Sequence, residues 1–159
     1  MRPGGADRPA VVAWLGYGGL LPFLVLALIS ALDNHHRELW QKMMLSYGAV
    51  ILSFVGALHW AFAMMHSAAH AKPVSTVYAW SVVPSLIAWV ALLVSPEVGT
   101  TLLLCGLLAH YLQDLRLATA LALPRWYLPL RLQLTVVASL CLGSVYFLPV
   151  AGGVQGISA

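Results

Sequence analysis

Charge is what this chain has least of. Charged residues make up 8% of its 159 positions, against about 25% in an ordinary soluble domain. Hydrophobic residues make up 61%, so there is no polar surface to present to water. A conventional soluble globule is excluded, and lipid is the natural surrounding of the exterior. Nucleic acid is excluded as a partner, because there is no basic run and no alternation of basic with aromatic residues. Cysteine is scarce too. Cys105 and Cys141 both fall in apolar runs, where a thiol packs as a small hydrophobe. There is no CxxC pair, and a structural disulfide is not expected. Catalytic signatures are missing. Ser53, Ser81, Ser85 and Ser139 belong to no nucleophile motif, and there is neither a phosphate-binding glycine loop nor a pair of carboxylates. Nothing points to an enzyme.

What the chain does have is five apolar runs: Val11–Leu32, Met44–His66, Thr76–Ser95, Val98–Arg116 and Leu130–Val150. Each approaches the roughly 20 residues that a helix needs to cross a bilayer. In hydrocarbon the backbone must satisfy its own hydrogen bonds, so the runs are helices. The expected fold is all-α, a polytopic membrane bundle of five transmembrane helices in one integral-membrane domain over 1–159. Outside the helices it has an N-terminal tail (1–10), a polar outer loop (33–43), an inner loop (117–129) and a flexible Gly-rich tail (151–159). The first run is too long for a signal-peptide core and reads as a retained helix.

Arg2, Arg8, Lys72, Arg116, Arg125 and Arg131 fall on one side of such a bundle, Arg37 and Lys42 on the other. The asymmetry predicts the N-terminus inside and the C-terminus outside. Trp40, Trp126 and Tyr127 sit at run edges, as interfacial aromatics do. Gly16, Gly18 and Gly19 before Pro22 predict a close approach or a local break, and Pro84 predicts a kink. Pro129 suits the first turn of the fifth helix.

The polar residues inside the runs are the candidates for function. Gly48, Leu52, Val55, Gly56, His59, Ala63 and His66 share one face of the second helix. Ala49, Ser53, Ala57 and Ala61 form a separate small-residue stripe suited to close helix approach. Packing accounts for the glycines and alanines but not for His59. On the fourth helix His110, Gln113 and Asp114 share a face, and Asp114 is placed to accept a hydrogen bond from His110 and fix its tautomer. The second and fourth helices run in parallel. His59, Trp60, Trp80, His110, Tyr111 and Asp114 are therefore expected to meet in the inner half of the bundle, as a candidate ligand site.

An ionisable group in a span costs roughly 2.5–3.5 kcal/mol and tends to mark a function. A His–Asp contact between helices is equally well structural glue. The readings are a polar cluster pinning helices together, a quinone held by His and Trp, a haem b bridged by His59 and His110, or passage of protons or ions. No cofactor is required by any motif. His66 and His70, four apart at the inner interface, are weak metal candidates without a carboxylate.

Three stretches carry a resemblance: Leu15–Phe23, Tyr47–Trp60 with its Ser-Phe-x-Gly-x-x-His-Trp run, and Pro124–Thr135. They resemble a family of small bacterial membrane proteins known only as domain of unknown function 3429, to which mitochondrial transmembrane protein 69 belongs. The family carries a glycine after that Trp, where this chain has Ala61. The resemblance spans the first helix to the fifth. It implies a five-helix bundle in a bacterial or mitochondrial inner membrane, and a shared pattern that includes Ser53, Gly56, His59, Trp60, Trp126, Arg131 and Thr135. It brings no activity with it. The expectation is a multi-pass protein of the bacterial inner membrane, surrounded by lipid and associated with other membrane-protein subunits as a non-enzymatic accessory or assembly factor. The alternatives are a redox-linked protein holding quinone or haem b through His59 and His110, and a small transporter or channel acting as an oligomer.

Overall fold

The structure is a computed structural model that describes residues 9–70, 75–121 and 123–147, without the side chains of 66–70 and 120–121. Six helices follow in order: α1 (Ala10–Gly18), α2 (Leu21–Leu32), α3 (Arg37–His70), α4 (Ser75–Ala91), α5 (Pro96–Leu121) and α6 (Tyr127–Phe147). The described residues are helical apart from short connections. Helices α1 and α2 are one rod with a break, so the bundle has the five expected rods.

The break falls where the glycines and Pro22 put it. Pro22 lies in the first turn of α2 and has no N–H to extend the preceding helix. The chain turns instead through Gly19 and Leu20, with Gly19 N–H donating to the Leu15 carbonyl at 3.0 Å and Leu20 N–H to the Tyr17 carbonyl at 3.0 Å. The Gly19 carbonyl accepts from the Tyr47 hydroxyl of α3 at 2.8 Å, which fastens the bend to the middle of the bundle.

Helix α3 is the central rod and packs against α2, α4, α5 and α6. Its approach to α4 is tight. A Cβ built on Gly56 would lie 3.0 Å from both the Pro84 Cβ and the Ser81 carbonyl oxygen, so only glycine admits α4 at that distance. Pro84 stays inside a continuous helix. Phe23, Met44, Leu52, Leu103 and Leu142 are fully buried between the rods. Large apolar side chains also cover the outside: Trp14 is 79% exposed and Leu140 68%. Burial against lipid accounts for such a surface, and water does not. Among the described residues, three rods are long and apolar enough to cross a membrane, Ala10–Leu32, Arg37–Met65 and Tyr127–Phe147; Ser75–Ala91 is apolar but shorter.

The element ends differ from the sequence reading in ways that matter. Helix α3 starts at Arg37 rather than Met44, so most of the expected polar loop is helical and the connection is Asp33–His36. Asp33 takes the place of that loop. Its carboxylate accepts from the backbone N–H of His35 and His36 at 3.0 and 3.2 Å and from Trp40 Nε1 at 3.2 Å, which ties the connection to the first turn of α3. Helix α5 continues to Leu121, and α6 begins at Tyr127 instead of Leu130. That last shift moves Arg131 from a loop edge to one turn inside the bundle.

Candidate functional site

Five polar side chains from three helices meet where the expected cluster should lie, but the membership has changed. Asp114 of α5 is the hub and is fully buried. One carboxylate oxygen accepts from His59 Nε2 of α3 at 2.8 Å and from the Tyr127 hydroxyl of α6 at 3.0 Å. The other accepts from Arg131 Nε of α6 at 2.8 Å. An ionised carboxylate has about four acceptor positions, and three are taken. The charge is balanced by a guanidinium that is itself 7% exposed.

His110 belongs to the cluster by contact rather than by the bond that its spacing suggested. Its Nε2 is 4.0 Å from Asp114, too far for a hydrogen bond. Its ring instead lies on His59, with centroids 4.4 Å apart at 35°. Trp80 of α4 donates its indole N–H to His110 Nδ1 at 3.3 Å. The network assigns the tautomers. Asp114 draws the proton of His59 to Nε2 and leaves Nδ1 as an acceptor. Trp80 makes His110 Nδ1 the acceptor, so Nε2 carries the hydrogen. His59 Nδ1 is a buried ring nitrogen without a hydrogen-bond partner among the described residues; His110 Nε2 has no side-chain partner there and lies against the Val55 backbone.

The other sequence candidates fall outside this network. Trp60 is 49% exposed and stands edge-on to Tyr78, its ring centroid 5.3 Å away. The reason is helical geometry, since neighbours in sequence point to different faces and His59 takes the inner one. Tyr111 is half-buried on the adjoining face of α5, and Gln113 accepts from Arg116. The His66 and His70 side chains lie outside the described residues. Cys105 and Cys141 are both free thiols. Arg131 enters the sequence reading only as a basic residue of the inner side and through the family pattern, and Tyr127 only as an interfacial aromatic. Their signal was present: Tyr127, Arg131 and Thr135 repeat every four residues, which is one helix face, and all three are buried.

The geometry limits what the cluster can hold as arranged. A porphyrin iron between two axial imidazoles sets the ring centroids roughly 6 Å apart, from metal–nitrogen bonds near 2 Å; these rings are in face contact. The His59, His110 and Asp114 ligand atoms lie within 4.8 Å of one another, whereas tetrahedral zinc needs neighbouring ligand atoms roughly 3.3 Å apart. Metal bonding through His110 Nε2 would also put the proton on Nδ1, facing the Trp80 N–H. What the arrangement does directly is tie rods together: α3, α5 and α6 through one carboxylate, and α4 through Trp80.

A membrane helix bundle locked by a buried carboxylate is thus the class that fold and site define. The family model described as "Protein of unknown function (DUF3429)" matches residues 8–147, and this chain belongs to that family. It is similar to transmembrane protein 69 of Xenopus tropicalis, 35% identical over 136 residues, covering 83% of this chain and 52% of the relative. It is also similar to transmembrane protein 69 of Mus musculus, 29% identical over 134 residues, covering 83% of this chain and 54% of the relative. The chain spans about half the length of these curated relatives. No solved structure matches it.

Proposed function

We propose that this protein is a non-enzymatic accessory or assembly subunit of the bacterial inner membrane, which presents a rigid helical surface to a larger membrane complex. The observation that carries the reading is the closure of the polar cluster. His59, His110 and Asp114 are all fully buried, and the carboxylate is already engaged from three sides. A closed cluster of this kind fixes the relative placement of rods, a use for which buried charge is attested, and offers a substrate no open position. Outside it, Ala57, Trp60, Ala61 and Met64 of α3 face outward. A face of small residues lets another helix approach closely, and Trp60 beside it supplies contact area.

The test is to place a photo-crosslinking residue at Ala57 and irradiate intact membranes. Discrete crosslinked species containing a second membrane protein are expected, together with co-migration on native gels. A chain that crosslinks only to lipid and migrates alone would overturn the reading. A visible absorption band abolished by His59→Ala would replace it with the haem alternative.

A further inference from the structure

The bundle contains one large apolar groove that the clamp does not explain. Its volume is about 910 Å³, and it runs between α1, α3 and α6. Helix α1 packs on α6, while α2 holds both α3 and α6, so the wedge opens beyond the Gly19 break. Leu15, Phe54, Leu58, Phe62, Met65 and Leu134 line it, and Pro124 and Trp126 of the α5–α6 connection border one end. Such walls fit a hydrocarbon chain.

Two cations give that chain a head. Arg131 forms part of the groove wall. A guanidinium has five N–H donors; among the described residues it gives one hydrogen bond to Asp114 and touches the Tyr127 hydroxyl. It is nine-tenths buried, which holds its head group in the groove wall. Arg125 is exposed and lies in sequence between Pro124 and Trp126, the two connection residues that border the groove. No acidic residue lies in that connection (residues 122–126), and Asp114 is already matched by Arg131. The connection itself is therefore net positive.

The geometry points to an acidic phospholipid as the occupant, one acyl chain lying in the groove, its phosphate at Arg125 and its ester oxygens within reach of the Arg131 N–H groups. A zwitterionic lipid fits the groove equally well but leaves the positive connection unmatched. The full chain, reconstituted in nanodiscs of phosphatidylcholine with phosphatidylglycerol and released for native mass spectrometry, should retain one phosphatidylglycerol in preference to phosphatidylcholine. Arg125→Gln should lower that retention about fivefold, the size expected for one basic residue near an anionic headgroup, and Arg125→Lys should restore it. Leu58→Trp, which fills the groove, should lower retention of both lipids. Equal retention of the two lipids in the unaltered protein, or no response to Arg125→Gln, would overturn the proposal. Because Arg125 is exposed, its substitution decides the matter even if the Leu58 variant does not fold.

Discussion

Asp114 is the single side chain whose loss should be felt most. Asp114→Leu leaves the Arg131 guanidinium buried without its counter-charge, and leaves His59 Nε2 and the Tyr127 hydroxyl without an acceptor. Breaking a buried pair from one side costs about 3–5 kcal/mol. Pairing Asp114→Leu with Arg131→Met removes the stranded charge, and the double variant should be more stable than Asp114→Leu alone. Unfolding by titration with an anionic detergent measures both. A single variant that loses less than about 1 kcal/mol would show that water reaches the site. The sequence exposed three of the five side chains of this cluster. His59, His110 and Asp114 each interrupt an apolar run, so their burial in a bundle was readable. Arg131 and Tyr127 were hidden by a three-residue error in the start of α6, which made them look like interfacial loop residues. Trp60 was drawn in by adjacency to His59, although adjacent helical residues diverge by about 100°.

Between elements, the glycines decide how closely rods approach, and they do not decide it equally. A Cβ at Gly99, in the first turn of α5, would lie 2.3 Å from the Ala91 carbonyl oxygen. Backbone cannot yield like a flexible side chain, so Gly99→Ala should separate α4 from α5 and destabilise by about 1–3 kcal/mol. Gly143 of α6 has nothing within 4 Å of its added Cβ, and Gly143→Ala should stabilise by up to about 1 kcal/mol through helix propensity. Opposite signs are the expected result in detergent melting curves, and two equal shifts would refute the packing argument. At the same end of the bundle, Asp33 is held at a pKa of about 2, chiefly by its hydrogen bond to the His36 side chain. A carboxyl with a depressed folded pKa favours folding above its ordinary value near 4. That contribution is lost as pH falls from about 4 to about 2. The protection factors of the His35 and His36 amides, taken relative to their intrinsic exchange rates, should fall over that window, and Asp33→Ala should show low protection at neutral pH and no such step. This tie was invisible in the sequence because a run of His, Arg and Glu looked like loop; the carboxylate placed ahead of Arg37 was the signal for a helix start.

At the scale of the whole molecule, the five rods were legible because each apolar run approaches a bilayer's thickness, while their orientation depends on a count that the fold changes. Arg131 is a buried partner of Asp114 and no longer a loop charge. The basic side then holds Arg2, Arg8, Lys72, Arg116 and Arg125 against Arg37 and Lys42, and the excess still predicts that the α3–α4 and α5–α6 connections lie inside. The lipid proposal points the same way, since anionic lipid concentrates its surface potential at the cytoplasmic leaflet. Single cysteines in a background with Cys105→Ser and Cys141→Ala read the orientation directly. His35→Cys, in the α2–α3 connection, should react with a membrane-impermeant maleimide on intact spheroplasts, and Arg125→Cys only after lysis. The reverse pattern would turn the bundle over and leave the basic α5–α6 connection facing the outer leaflet. The buried clamp would be unaffected, because its geometry depends on which rods touch and not on which side of the membrane they begin.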